Sequence, residues 1–495
     1  MNISERIKKL IEQISFEVYE KEEIFKLAIL AMLGGESIFL LGKPGIAKSL
    51  ISRRVKFALK DGKNFEYLMS KFSTPEEIYG PINIKELQEG RYVRVIDDYL
   101  PTANVGFLDE IWKAGPSIQN TLLTIINEKI FRNGGRDVKV PLNLLISASN
   151  ELPTPGEGLE ALYDRFIIRY IAEGLKSKDN FEQLLAGESS LDVVVDPELQ
   201  LTSDELNNWK KQIRQVKLSR ETLDFIHYFR NKLIQATSGK SYISDRRWKK
   251  ISGLIKTSAF FNGREETDLP DLFCIPYCIW DNENEEKEYR NIFNAAFLEN
   301  FGQDFRGQKN QLLNQVDALA LQINQVESQY LRLTTYDSPY KSKTQGTYYR
   351  ILNPEAQDMA KYLFISARDW NKLAAIPGTM MELPIFFGSS ETKYEGSRIS
   401  KVQYHKANQI MLIDEKKKLF LENDNAGEYN KETIKLNQKM SELENNVKSI
   451  SLNMYKTYKK YTKMDCIFFD ESYNKQIALA FDIEPTEAIE EEVTQ

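Results

Sequence analysis

Ile3, Ile7, Leu10, Ile11 and Ile14 recur at the spacing of one helical face, so residues 1–22 are expected to form an amphipathic helix followed by a polar break. Residues 23–33 predict a second helix, stopped by Gly34-Gly35. The pattern then changes. Ser37-Ile38-Phe39-Leu40-Leu41 is a continuous apolar run, as in a strand buried on both faces of a parallel sheet. A glycine-containing loop, a helix over 49–60 and a strand at Phe65-Glu66-Tyr67-Leu68 follow. Further apolar strands are expected at 105–108 and 142–148, and this alternation predicts an α/β core with a mainly parallel sheet. Residues 82–95 read as a hairpin turning at Glu89-Gly90. From about 185 to 285 the pattern is helical, as at 222–233 and 246–260.

Beyond 286 the periodicity becomes heptad-like. Leu312, Val316, Leu319, Ile323, Val326, Tyr330 and Leu333 form one seam, and Leu436, Met440, Leu443, Val447, Ile450 and Met454 a second. An intramolecular helical hairpin is the plainer reading; a dimerising coiled coil is the alternative. Between the seams, strands are expected at 346–351, 383–387 and 409–413 within a small β-rich module. The domain plan is thus a core over 1–185, a helical region over 186–285, a discontinuous helical stalk over 286–335 and 415–480, a module over 336–414, and an acidic tail over 481–495.

Composition narrows the chemistry. The 495 residues are 42% hydrophobic and 28% charged, ordinary for a globular protein. Three cysteines imply no disulfide framework, and Cys274 and Cys278, four apart, would share one helix face as core thiols. With two histidines in the chain, a histidine-metal enzyme or a Ser-His-Asp hydrolase is disfavoured. A net charge of −6 weighs against broad nucleic-acid binding. The apolar stretch 24–33 contains Lys26 and is too short to span a bilayer, and the N-terminus lacks a signal-peptide pattern, so a reducing cytoplasm is the expected location.

Candidate chemistry centres on Gly42-Lys43-Pro44-Gly45-Ile46-Ala47-Lys48-Ser49, between a buried strand and a helix. A turn feeding a helix N-terminus aims backbone N–H groups at an anion; Lys48 would reach the β/γ phosphates and the Ser49 hydroxyl would ligate Mg²⁺. The usual pattern has glycine where Ala47 stands. Val105-Gly106-Phe107-Leu108-Asp109-Glu110 is an apolar strand ending in two carboxylates, suited to holding Mg²⁺ (Asp109) and polarising a lytic water (Glu110). Asn150, at the end of a third strand, could touch both the γ-phosphate and that water, or be an ordinary turn residue.

These three strand endings resemble the AAA+ ATPases, in particular the MoxR branch and its RavA-like regulatory members. Phe72-Ser73-Thr74-Pro75-Glu76-Glu77, the segment 107–116, the segment 148–153 and Ser244-Asp245-Arg246-Arg247-Trp248 carry the narrower match, which spans roughly residues 15 to 265. The resemblance implies an α/β AAA+ P-loop core with a parallel sheet and an all-α lid, followed by the stalk and module. In that branch alanine is usual at position 47. It implies that Arg165 is an arginine finger acting on a neighbouring subunit, although a surface salt bridge to Asp164 or Glu160 is the alternative. It also implies that Arg246, or Arg247 beside it, is a sensor arginine of the lid. The adenine would lie against Val18-Tyr19-Glu20, near Leu50, and the 82–95 hairpin would be the insert of this branch. By the same resemblance the protein is expected to be a ring-forming, hexameric ATPase using ATP/ADP and Mg²⁺ to act on partner proteins. A von Willebrand factor A domain protein, and through 336–414 an inducible lysine decarboxylase, are the implied partners. A nucleic-acid motor and a nucleotide-gated scaffold with little turnover are the competing classes.

Overall fold

The computed structural model describes the chain except residues 61, 155, 157, 187–192, 302, 331–334, 338–346, 353–361, 389–395, 407–409, 415–416, 422–425 and 483–495. The end of the first seam at Leu333, parts of the 336–414 module and nearly all of the acidic tail therefore lie outside the described residues. Two compact units result: Met1–Gln303 with Thr457–Gln495, and Asp304–Lys456.

The first unit opens with α1 (Ile3–Ser15), capped by the Asn2 side chain, which accepts the Glu5 N–H at 2.7 Å. Helix α1 stops earlier than the expected 1–22, because Glu17 and Glu20 both adopt positive φ. Helix α2 (Glu22–Gly34) ends where Gly35 turns left-handed, the expected glycine stop. The chain continues through β1 (Ser37–Leu41), α3 (Lys48–Val55), β2 (Asn64–Leu68), the short helices α4 (Pro75–Tyr79) and α5 (Ile84–Gln88), and β3 (Val105–Asp109). Helix α6 (Pro116–Glu128), the hairpin β4 (Ile130–Asn133) and β5 (Arg136–Lys139), β6 (Leu144–Ser149), α7 (Glu160–Tyr163), β7 (Phe166–Ile171) and α8 (Lys178–Ala186) complete the core.

Five strands form one parallel sheet in the order β2-β3-β6-β1-β7. Every residue of β1 and β6 is buried, which is why both read as unbroken apolar runs. Strand β7 escaped the sequence reading because Arg169 interrupts its apolar run. That guanidinium is 1% exposed, donating to the Tyr163 and Phe166 carbonyls at 3.2 Å and pairing with Asp281. The expected 82–95 hairpin is also corrected: a single bridge joins Ile82 to Arg94, and α5 lies between them, started by the Asn83 side chain accepting the Lys85 and Glu86 N–H groups. The hairpin of this region is instead β4–β5, turning at Gly134-Gly135, both at positive φ.

The all-helical region comprises α9 (Ser203–Ile213), α10 (Arg220–Ala236), α11 (Asp245–Phe261), a 3₁₀ segment Leu269–Cys278 and α12 (Glu283–Asn300). Residues 286–300, counted with the stalk in the sequence reading, pack here through Phe293 and Phe297 against Phe225 and Phe273. Cys274 and Cys278 are fully buried, but three residues per 3₁₀ turn put them on different faces.

In the second unit, α13 (Gln303–Tyr330) leads to β8 (Thr335–Asp337), β9 (Thr347–Leu352), β10 (Tyr362–Ser366), α14 (Ala367–Ala375), β11 (Met380–Gly388), β12 (Gly396–His405), β13 (Ile410–Ile413) and β14 (Lys417–Leu421). Antiparallel pairing runs from β9 through β10, β11, β12, β13 and β14 back to β9, so six strands close into a small barrel. Trp370 and Leu373 of α14 join its core with Ile365, Ile385 and Val402. The chain returns through α15 (Ala426–Thr462) to α16 (Asp470–Ala480), whose Tyr473 packs on Phe273 of the first unit's helical region. The seam residues Leu319, Ile323 and Met454 are buried. Among the described residues no helix is long and apolar enough to cross a membrane.

Candidate functional site

The loop 42–49 leaves the C-terminal end of β1, between the ends of β6 and β7. Gly42 is tied there by its N–H to the Ser149 carbonyl at 3.1 Å. A side chain at Gly42 would come within 2.5 Å of the Ala172 carbonyl and closer still to Ile46, so only glycine fits. Gly45 has φ of +81° and Ala47 +65°, and Ala47 leads directly into α3. This fold of the loop leaves Lys43 and Pro44 exposed and brings Lys48 inward.

The Lys48 ammonium is held entirely by oxygens. It donates to the Gly42 carbonyl, to the Ser149 carbonyl at 3.3 Å and to Asn150 Oδ1 at 3.0 Å. Burial lowers its pKa from the usual lysine value, while Asp109 and Glu110 oppose that shift. Asn150 in turn donates through Nδ2 to Glu110 Oε1 at 2.8 Å. Both ends of this amide are thus used, linking the lysine to the glutamate. Glu110 sits at φ +53° immediately after β3 and also pairs with Lys113 at 3.3 Å. Asp109 accepts the Glu110 N–H at 3.0 Å. Lys48, Asp109, Glu110 and Asn150, separated by up to 102 positions, therefore meet at the ends of β1, β3 and β6.

The Ser49 hydroxyl and the Asp109 carboxylate are hard oxygen donors of the kind Mg²⁺ takes. Among the described residues no three His, Cys, Asp or Glu side chains converge on a metal position.

Beside the loop opens a cavity of about 620 Å³ lined by Val18, Tyr19, Ile46, Ala47, Ser49 and Leu50 on one side and by Phe181 and Leu184 of α8 on the other. Tyr19 is thus part of the cavity wall beside the loop. The α8 wall was missed; its signal was an apolar pair three apart, Phe181 and Leu184, on a helix whose first turn is polar. Glu20 fastens the wall, accepting the Lys176 and Ser177 N–H groups at 2.7 and 2.8 Å and the Asn180 amide; these bonds lower its carboxyl pKa to about 2.

Arg165 and Arg246 lie elsewhere. Strand β7 runs parallel to β1 with Phe166 opposite Ser37 and Ile171 opposite Leu41. Arg165, just before β7, is therefore at the start of the strands, whereas the loop is at their end, about 16 Å away over five residues. No arginine side chain spans that gap. At this edge Asp164 holds three guanidinium groups, pairing with Arg165 at 3.3 Å, with Arg247 at 3.0 Å and with Arg246. The salt bridge considered as the alternative for Arg165 is present, to Asp164; Glu160 instead accepts the Gly156 N–H. Arg247 is 5% exposed and donates to the Phe166 carbonyl at 3.2 Å and to the Cys278 carbonyl; burial lowers its pKa to about 10. The Arg246 side chain is 40% exposed, with Asp164 as its ion-pair partner. Of the two adjacent arginines, Arg247 is locked into the core and Arg246 is the one with room to move.

A family model described as the MoxR domain in MoxR–vWA–beta-propeller ternary systems matches residues 5–211, and one described as an AAA lid domain matches residues 221–293. An uncharacterized protein of Methanocaldococcus jannaschii is 37% identical over 281 residues, covering 57% of this chain and 71% of its own length. A second from the same organism is 34% identical over 329 residues, covering 66% of this chain and 84% of its own length. A structural protein of Acidianus two-tailed virus is 27% identical over 331 residues, 60% of this chain and 53% of its own length. A solved structure described as a candidate ATPase of Cytophaga hutchinsonii covers 59% of this chain and 94% of its own, at 19% identity and a TM-score of 0.46. On the two family models and the Methanocaldococcus relatives, this chain belongs to the MoxR family of AAA+ ATPases.

Proposed function

We propose that this protein hydrolyses ATP with Mg²⁺ at the interfaces of a ring of identical subunits, most simply a hexamer, and uses the resulting rearrangement to remodel or regulate partner proteins. The observation that carries the reading is the chain of contacts Lys48–Asn150–Glu110 beside a cavity of about 620 Å³. Arriving phosphates would replace the loop carbonyls as partners of Lys48, with backbone N–H groups of the loop and the start of α3 facing them. The adenine would enter between Tyr19 and Phe181. Ser49 and Asp109 would hold Mg²⁺, which when bound neutralises charge on the β and γ phosphates. Glu110, freed from Asn150 and Lys113, would accept a proton from the attacking water, and Asn150 would turn its amide toward the γ-phosphate.

Arg165 and Arg246 are out of reach of their own loop, so in this reading they serve the site of the next subunit, stabilising transition-state charge in trans. That requirement is the argument for a ring. The family model names vWA proteins in its ternary systems, which supports such a partner. Binding of an inducible lysine decarboxylase by the β-rich module, and a cytoplasmic location, rest on the RavA resemblance alone.

The test is Glu110→Gln. It is expected to bind ATP as wild type does while turnover falls about 10²- to 10⁴-fold, the usual contribution of a general base. Hydrolysis at the wild-type rate would remove Glu110 from this role. For action in trans, Arg165→Ala and Lys48→Ala subunits, each inactive alone, are mixed; partial recovery is expected, and no recovery at any ratio would count against it.

A further inference from the structure

At the sheet edge opposite the phosphate loop lies a second cavity, of about 550 Å³, between the end of α2, hairpin β4–β5, α9 and α11. Its charged lining is one-sided. Lys129, Lys139, Lys210, Arg214 and Lys250 face it, and Glu36 is the one carboxylate among them, already paired with Lys250 at 2.8 Å. In a chain of net charge −6, such an accumulation is local. Backbone geometry holds it in place: Lys129 closes α6 in the left-handed region, and the Lys210 side chain lies against Gly35, itself left-handed, at the end of α2.

We infer that this cavity is a binding site for a compact polyphosphate, a small molecule with at least two linked phosphate groups. The volume falls in the range of small-ligand sites. Among the described residues three ammonium groups and a guanidinium there form no salt bridge to a carboxylate, and they supply the donors that a polyanion takes. Among the described residues no aromatic ring lines the cavity, so nothing there would stack the bases of a nucleic-acid strand.

The electrostatics agree. Burial lowers the Lys129 pKa to about 8, helped by Lys210 and Lys250 and opposed by Glu36; Arg246 is a further cation acting on Glu36. Burial and Lys139 also lower that of Lys210. With a lowered pKa in the fold, Lys129 loses its proton near pH 8 there but only near pH 10.4 when unfolded, so the ligand-free protein gains stability as pH rises from 8 to about 10. A bound polyanion would restore the ammonium form, so binding at pH 8 takes up protons.

The probe is inorganic tripolyphosphate with no divalent cation, titrated into full-length Lys48→Ala protein, whose phosphate loop is disabled. Saturable binding with proton uptake at pH 8 is expected. Adding Lys129→Gln and Lys210→Gln is expected to weaken it at least tenfold while raising the ligand-free thermal midpoint, since mutual repulsion is removed; Lys85→Gln, an exposed charge elsewhere, is expected to change neither. ATP competing in the same protein would identify a nucleotide's phosphate chain as the source, and failure to compete a free polyphosphate. The inference is overturned by absent or unsaturable binding, by equal weakening in Lys85→Gln, or by a lower midpoint in the double variant, which would make the lysines structural. Because Lys48 is already removed, none of these outcomes bears on ATP hydrolysis.

Discussion

Where β1, β3 and β6 end, Lys48 is ringed by three oxygens and Glu110 is held by Asn150 and Lys113; where β1 and β7 begin, a single carboxylate, Asp164, is divided among three guanidinium groups. The first edge has its donors and acceptors matched within the chain, and its arrangement is a backbone construction around a loop. The second carries more positive charge than its own carboxylates answer, and the lysine-lined cavity extends the imbalance. A chain built this way presents an anion-accepting loop on one side and anion-seeking side chains on the other. Stacking copies head to tail would bring the two together, the arrangement that the proposed ring requires.

The largest expected effect tests whether the first edge depends on backbone fit. Gly42→Ala would drive a methyl group into Ile46 and to 2.5 Å from the Ala172 carbonyl. Overpacking of this kind costs about 1–3 kcal/mol, so nucleotide affinity is expected to fall roughly ten- to hundredfold. Equilibrium titration with a fluorescent ADP reads it. Arg165→Ala, at the other edge, is expected to leave ADP affinity of the isolated subunit unchanged. If Arg165→Ala weakens binding as much as Gly42→Ala, the two edges are not separate halves.

A second contrast lies within the second edge. Arg247 is buried among the Asp164 carboxylate and two backbone carbonyls, so Arg247→Met is expected to destabilise the protein by about 3 kcal/mol, leaving those acceptors unpaired. Arg246 shares the same carboxylate but is 40% exposed, and such a pair contributes about 0.5 kcal/mol after screening. Urea midpoints of the two variants measure the difference. Equal losses would mean that Arg246 is as structural as Arg247 and has no freedom to meet a phosphate.

The legibility of the two edges in the sequence differs for the same physical reason. The first is written in contiguous motifs, because backbone conformation needs particular residues in a row: Gly42 for a close approach, Gly45 for a positive φ, apolar runs ending in Asp109-Glu110 and Asn150. The second is assembled from Glu36, Lys129, Lys139, Asp164, Lys210 and Lys250, which only the tertiary fold brings to one edge of the sheet. No local pattern marks them. Buried charge also hid β7, since Arg169 broke the run of apolar residues by which strands were found. Residues 82–95 misled in the opposite way: alternating apolar positions fit a hairpin, but the Asn83 cap gives the intervening residues a helical alternative that won.

The smallest effect concerns Ala47, where the first edge departs from its own rule. The residue holds φ of +65° and ψ of +19° while leading into α3, a conformation in which a Cβ costs about 1–2 kcal/mol. Ala47→Gly removes that cost but adds about 0.5–1 kcal/mol of chain entropy to be lost on folding. The net expectation is a gain between zero and about 1.5 kcal/mol, read as a small rise in urea midpoint, with nucleotide affinity unchanged because the loop amides keep their places. A loss of stability would mean that the Ala47 methyl, which lines the cavity beside Leu50, contributes packing that outweighs its backbone strain. A loss of affinity would mean that the strain itself holds the loop amides ready for phosphate, so that this edge, too, keeps something unsatisfied until its anion arrives.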